Sequence, residues 1–241
     1  MTDMQDQHIA SAYDRDLEAI QALIMKMGGL VEDAITNAAR ALETRDDEMA
    51  EAVRRGDAAV DRLEEQINEE VARVIALRAP TARDLRVVLS VLKISSNLER
   101  IGDYAKNLAK RASVLTQMQP VGDSASTLRR MAQQVRAMLK DALDAYVQRD
   151  EALALDVRDR DVEVDQMYNN IFRAFITHMM EDPRNITACM HLHFIAKNTE
   201  RMGDHVTSIA DQVVYLTTGS MPDESRQKKD RTPFETHGAV R

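Results

Sequence analysis

The segment Asn97-Leu98-Glu99-Arg100-Ile101-Gly102-Asp103 returns 101 residues later as Asn198-Thr199-Glu200-Arg201-Met202-Gly203-Asp204. Both copies read N-x-E-R-x-G-D. In a helix, positions i and i+4 share a face, with about 5–6 Å between their Cβ atoms. Glu99 and Asp103 therefore point the same way, as do Glu200 and Asp204. Like charges at this spacing cost roughly 0.2–0.5 kcal/mol, and a glycine inside a helix costs ~1 kcal/mol relative to alanine. Two copies carrying both penalties call for a common cause, and a bound cation is the simplest.

The repeat extends past the motif. Arg45-Asp46-Asp47-Glu48 resembles Gln148-Arg149-Asp150-Glu151, and Val60-Asp61 returns as Val164-Asp165 at an offset of 104. The drift from 101 to 104 falls between helices, where insertions are tolerated. The five prolines mark boundaries, because proline is expelled from helix interiors. Between them apolar residues recur every three or four positions and nowhere alternate, which predicts helices and no strands. The expected helices run from about Ile9 to Leu42, from after Asp46-Asp47 to Leu77, from near Thr81 to about Leu115, from about Ser126 to Val147, from after Asp150-Glu151 to Met180, and from about Arg184 to Leu216. Gly28-Gly29 lies inside the first and is a candidate kink. The fold class is all-α: two tandem, similar three-helix bundles. The expected units are residues 8–118 and 123–218, with a polar, disordered tail over 219–241.

Each half offers a second acidic pair. Asp57 and Asp61 stand four apart in the second helix, and Asp161 and Asp165 in the fifth. By helical angle, Glu99 and Asp103 continue the stripe of Leu85, Val88, Leu89 and Leu92, and Glu200 and Asp204 continue that of Ile186, Cys189 and Met190. Ionised carboxylates facing a core cost several kcal/mol unless paired or bound to metal. The candidate metal ligands are Asp57, Asp61, Glu99 and Asp103 in one half, and Asp161, Asp165, Glu200 and Asp204 in the other. An oxygen-only set suits Mg²⁺, Mn²⁺, Ca²⁺ or iron, and would be unusual for structural zinc. The competing reading is a salt-bridge network in which Arg100, Arg201, Lys106 or Lys197 neutralises the acids. Gly102 and Gly203 would admit a close neighbour, either a helix or a metal. His193 reads as a packed core residue, and His205 as exposed.

Three function classes fit these features: a metal-binding regulatory scaffold, a plain helical adaptor, and a di-iron carboxylate enzyme. The last is built on Glu-x-x-His pairs, which the sequence lacks, so the chain is expected not to be an enzyme. A net charge of −8 argues against nucleic acid as the main partner. The single Cys189 fits a reducing compartment. The first ten residues hold no signal-like apolar run, and no uninterrupted apolar stretch of about 18 residues occurs. The expected setting is the cytoplasm, without membrane insertion.

These residues resemble the PhoU family of phosphate-specific transport system accessory proteins, over Ile9 to about Leu216. The resemblance rests on Asp84-Leu85-Arg86, Leu92-Lys93-Ile94 and the two N-x-E-R-x-G-D segments. The first triplet degenerates to Asn185-Ile186-Thr187 in the second half, and residues beyond Gly219 match no part of the pattern. The resemblance implies a cytoplasmic negative regulator of the phosphate-starvation (Pho) response. It would act between the ATPase subunit of the phosphate ABC transporter and the phosphate-sensing histidine kinase. It also implies a homodimer, and Mg, Mn, Fe or Zn ions held by acidic motifs that match the eight residues above.

Overall fold

The computed structural model describes the backbone of residues 2–81 and 83–222 and the side chains of 13–81 and 84–222. Six helices follow one another: α1 Thr2–Thr44, α2 Asp47–Arg78, α3 Arg83–Leu115, α4 Ser124–Gln148, α5 Glu151–Glu181 and α6 Ile186–Thr218. A 3-10 turn, Pro183–Asn185, leads into α6, and no strand occurs among the described residues. The expected tail beyond residue 222 lies outside the described residues.

The two first hairpins are built alike and align at an offset of 104, one residue away from the register that sets Arg45-Asp46-Asp47-Glu48 against Gln148-Arg149-Asp150-Glu151. Arg45 (φ 57) and Arg149 (φ 55) take the left-handed conformation that ends α1 and α4. The next residue then caps the following helix: the Asp46 carboxylate accepts the Met49 N–H at 2.9 Å, and that of Asp150 accepts the Leu153 N–H at 3.0 Å. A cap of this kind satisfies a donor that the first turn leaves orphaned, worth ~1 kcal/mol.

Helix α1 runs unbroken through Gly28-Gly29. A Cβ on Gly28 would lie 2.4 Å from Leu143 Cδ1, so this glycine lets α4 approach α1.

Helices α1, α2 and α3 pack on one another, as do α4, α5 and α6. Ile24, Ile35, Leu98 and Ile101 lie inside the first bundle and Met138, Val164, Ile195 and Val206 inside the second, all at 0% exposure within one continuous core. The bundles share two further contacts, α3 on α6 and α1 on α4, and α3–α6 is the most extensive helix pair in the molecule. These helices run antiparallel. Arg86 stacks 5.1 Å over Tyr215, Asn97 Oδ1 lies 2.8 Å from His205 Nδ1, and Arg111 stacks 4.2 Å over Phe194. Tyr104 and His205 hold equivalent places in the two repeats, and their rings meet at 5.7 Å. Contact between equivalent residues marks an approximate two-fold axis at this seam. His205 is therefore half-buried between the bundles, not exposed as the sequence suggested; burial lowers its pKa, Asp204 partly opposes that, and Arg100 adds to it.

Candidate functional site

In the first bundle the four acids converge between α2 and α3. Asp57 is 7% exposed and lies at the floor. The Lys106 ammonium donates to Asp57 Oδ2 at 2.5 Å and reaches Asp103 Oδ1 at 3.4 Å. The Asp57 hydrogen bond raises the Lys106 pKa. Glu99 and Asp103 are half-buried, and Asp61 is exposed. Glu99 and Asp103 thus flank the apolar stripe instead of continuing it. Its centre is Val88, Val91, Ile94, Leu98 and Ile101, while Leu89 is exposed.

Burial, with repulsion from Asp103, pushes the Glu99 carboxyl up to about 7, against a partial offset from Arg100. Arg100 Nε stands 3.6 Å from Glu99 Oε2. Burial and the Asp57 charge raise Asp61 as well, and Asp103 adds to the effect. Glu64 belongs to the same field: its pKa is raised by burial and by Asp61. The sequence reading missed Glu64, although it lies seven residues, two helical turns, beyond Asp57.

The second cluster, between α5 and α6, is drier. Asp161, Asp165 and Glu200 are 2%, 3% and 5% exposed, and Asp204 is half-buried. Lys197 Nζ stands 3.0 Å from Glu200 Oε2 and 4.8 Å over the Tyr168 ring. Burial still raises the Glu200 pKa against the pull of Lys197, and Asp204 and Asp165 push it further. Gly203 gives this cluster its tight fit, since a Cβ there would lie 2.8 Å from Asp161 Oδ1. At Gly102 the corresponding distances are ordinary, 3.4 Å to Val60 Cγ1 and 3.9 Å to Asp57 Oδ1. What the glycines admit is thus a neighbouring helix together with its carboxylate. His193 is half-buried and packs among Tyr168, Phe172 and Phe194 with ring centroids 5.4–6.0 Å apart.

Among the described residues, no three His, Cys, Asp or Glu side chains are grouped so as to hold a metal ion as they stand. Lys106 and Lys197 occupy the clusters instead. The donor chemistry nevertheless suits a hard cation: the eight acids supply oxygen only, and Asp61, Glu99 and Glu200 are held above their usual pKa.

The PhoU domain profile matches residues 24–112 and again 128–213, one match per bundle. This chain belongs to the PhoU family. A relative from Caulobacter vibrioides, described as a phosphate-specific transport system accessory protein PhoU homolog, is 44% identical over 224 residues, covering 93% of this chain and 97% of its own. A Rhizobium meliloti relative with the same description is 42% identical over 237 residues, covering 98% and 99%. That coverage extends past Gly219, so the C-terminal segment does have a counterpart in a PhoU relative. The crystal structure of PhoU from Pseudomonas aeruginosa superposes with a TM-score of 0.84 at 38% identity, covering 86% of this chain and 100% of that one. No helix among the described residues is long and apolar enough to cross a membrane.

Proposed function

We propose that this chain is a cytoplasmic, non-enzymatic regulator of phosphate-specific transport that restrains the phosphate-starvation response when phosphate is plentiful. In this reading it works as a homodimer between the transporter's ATPase subunit and the phosphate-sensing histidine kinase. Its folding units are residues 8–118 and 123–218. Each unit binds a divalent or iron ion, Mg, Mn, Fe or Zn. Asp57, Asp61, Glu99 and Asp103 hold one site; Asp161, Asp165, Glu200 and Asp204 hold the other. The bound cation supplies the positive charge that four converging carboxylates lack. The chain's own part is to hold the acids together across two helices and to release Lys106 and Lys197 from them.

One observation carries the reading. Each half matched by the PhoU profile gathers its two acidic pairs at one place between two helices, and burial with mutual repulsion keeps Asp61, Glu99 and Glu200 reluctant to ionise. A metal-free adaptor is the second reading, favoured by the Lys106–Asp57 contact at 2.5 Å.

The regulatory part is tested in cells. Deleting the gene should switch on a phosphate-starvation reporter in phosphate-rich medium, and the tagged protein should co-purify with the transporter ATPase subunit and the kinase. A silent reporter with no such co-purification would refute it.

A further inference from the structure

We propose that the groove between α1 and α2 is a docking site for an amphipathic segment of a partner protein that presents an arginine or lysine between apolar residues. The groove encloses about 460 Å³. Leu30, Ala34, Met49 and Val53 give it apolar walls, Asp33 and Glu48 stand on its rim, and no lysine or arginine lines it. Asp33 and Glu48 make no ion pair among the described residues, whereas the Asp57 carboxylate at the floor already has Lys106.

The second bundle shows how such a groove is closed from within. The repeat offset of 104 equates α1 and α2 with α4 and α5, from the shared helix ends at Thr44 and Gln148 to Asp61 and Asp165. At the place of Gly56 stands Arg160. Its guanidinium crosses from α5 to α4, donating to Asp141 Oδ2 at 2.6 Å, and its Nε lies 2.9 Å from Asp156 Oδ2. In the first bundle this strut is gone: Gly56, Asn37 and Ala52 replace Arg160, Asp141 and Asp156. A Cβ on Gly56 would meet nothing within 4 Å. Meanwhile acids appear where the second bundle has alanine, Asp33 for Ala137 and Glu48 for Ala152.

The duplicated half thus fills this space with its own cation, and the first half leaves it open, apolar-walled and acidic. A guanidinium or ammonium arriving from outside would meet carboxylates that make no other ion pair, while flanking apolar side chains cover the walls. The inference concerns partner binding and does not depend on whether either acidic cluster holds a metal.

Panning a display library of random peptides against the intact protein tests it. The enriched peptides should share an arginine or lysine flanked by apolar residues. Synthetic copies should bind at least about tenfold more weakly to Gly56→Arg, which fills the groove, and to the double variant Asp33→Asn, Glu48→Gln, which removes its rim charge. Gly56 and both acids lie on the surface, so the variants should keep the wild-type circular dichroism, and Gly56→Arg should melt no lower than the unmutated protein because it gains helix propensity in α2. No enrichment, enrichment of acidic or uncharged peptides, or binding unchanged in both variants would overturn the proposal.

Discussion

At the scale of single residues, Glu99 is the most informative group. Its carboxyl titrates near pH 7 in the folded chain, against 4.5 for the ordinary group. The folded state therefore binds this proton more tightly than the unfolded state. Stability of metal-free protein should be intact below about pH 4.5 on this account and should fall as pH rises through 7. Denaturant unfolding across that range checks it, and Glu99→Gln should flatten the slope. The motif glycines give a second residue-scale prediction. Gly102→Ala gains helix propensity at little steric cost, because its nearest neighbour is 3.4 Å away. Gly203→Ala must displace the buried Asp161 carboxylate from 2.8 Å. The second variant should melt lower than the first, by the equivalent of at least about 1 kcal/mol. Equal melting temperatures would show that Asp161 yields freely.

At the scale of helices, the α3–α6 seam joins the two motifs. Asn97 precedes Glu99 by two residues and His205 directly follows Asp204, so their 2.8 Å contact ties one acidic cluster to the other. A double-mutant cycle with Asn97→Ala and His205→Ala should show a coupling of about 0.5–1.5 kcal/mol in unfolding. Strictly additive losses would mean that the contact does not hold the seam. This seam was not legible in the sequence, and the reason is physical. Apolar periodicity reports that a face is buried, not which helix buries it. Asn97 and His205 are 108 positions apart and carry no joint signal. The helices themselves were legible, because prolines mark their boundaries and apolar residues recur every three or four positions between them. The close approach of Leu143 at Gly28 was not legible, because a glycine in a helix reads the same whether it bends the chain or admits a neighbour. The convergence of Asp57 with Glu99 and Asp103 was readable from the duplicated i, i+4 spacing. Lys106, already considered as a partner, needed the structure to show that it reaches both Asp57 and Asp103.

At the scale of the whole molecule, duplication and an antiparallel seam give two similar acidic clusters about one approximate axis, with unequal burial. Asp61 is exposed where its counterpart Asp165 is 3% exposed, so the clusters should differ in affinity while sharing chemistry. The central claim is that these clusters are cation sites, and metal content tests it most directly. Protein purified from phosphate-replete cells should contain bound metal, measured by elemental analysis across Mg, Mn, Fe and Zn. The double variant Glu99→Ala, Asp103→Ala should retain about half of it, because the Asp161, Asp165, Glu200, Asp204 cluster stays loaded and only the first site is lost. Full metal content in that variant, or none in the unmutated protein, would contradict the claim and leave Lys106 and Lys197 as the permanent partners of these acids.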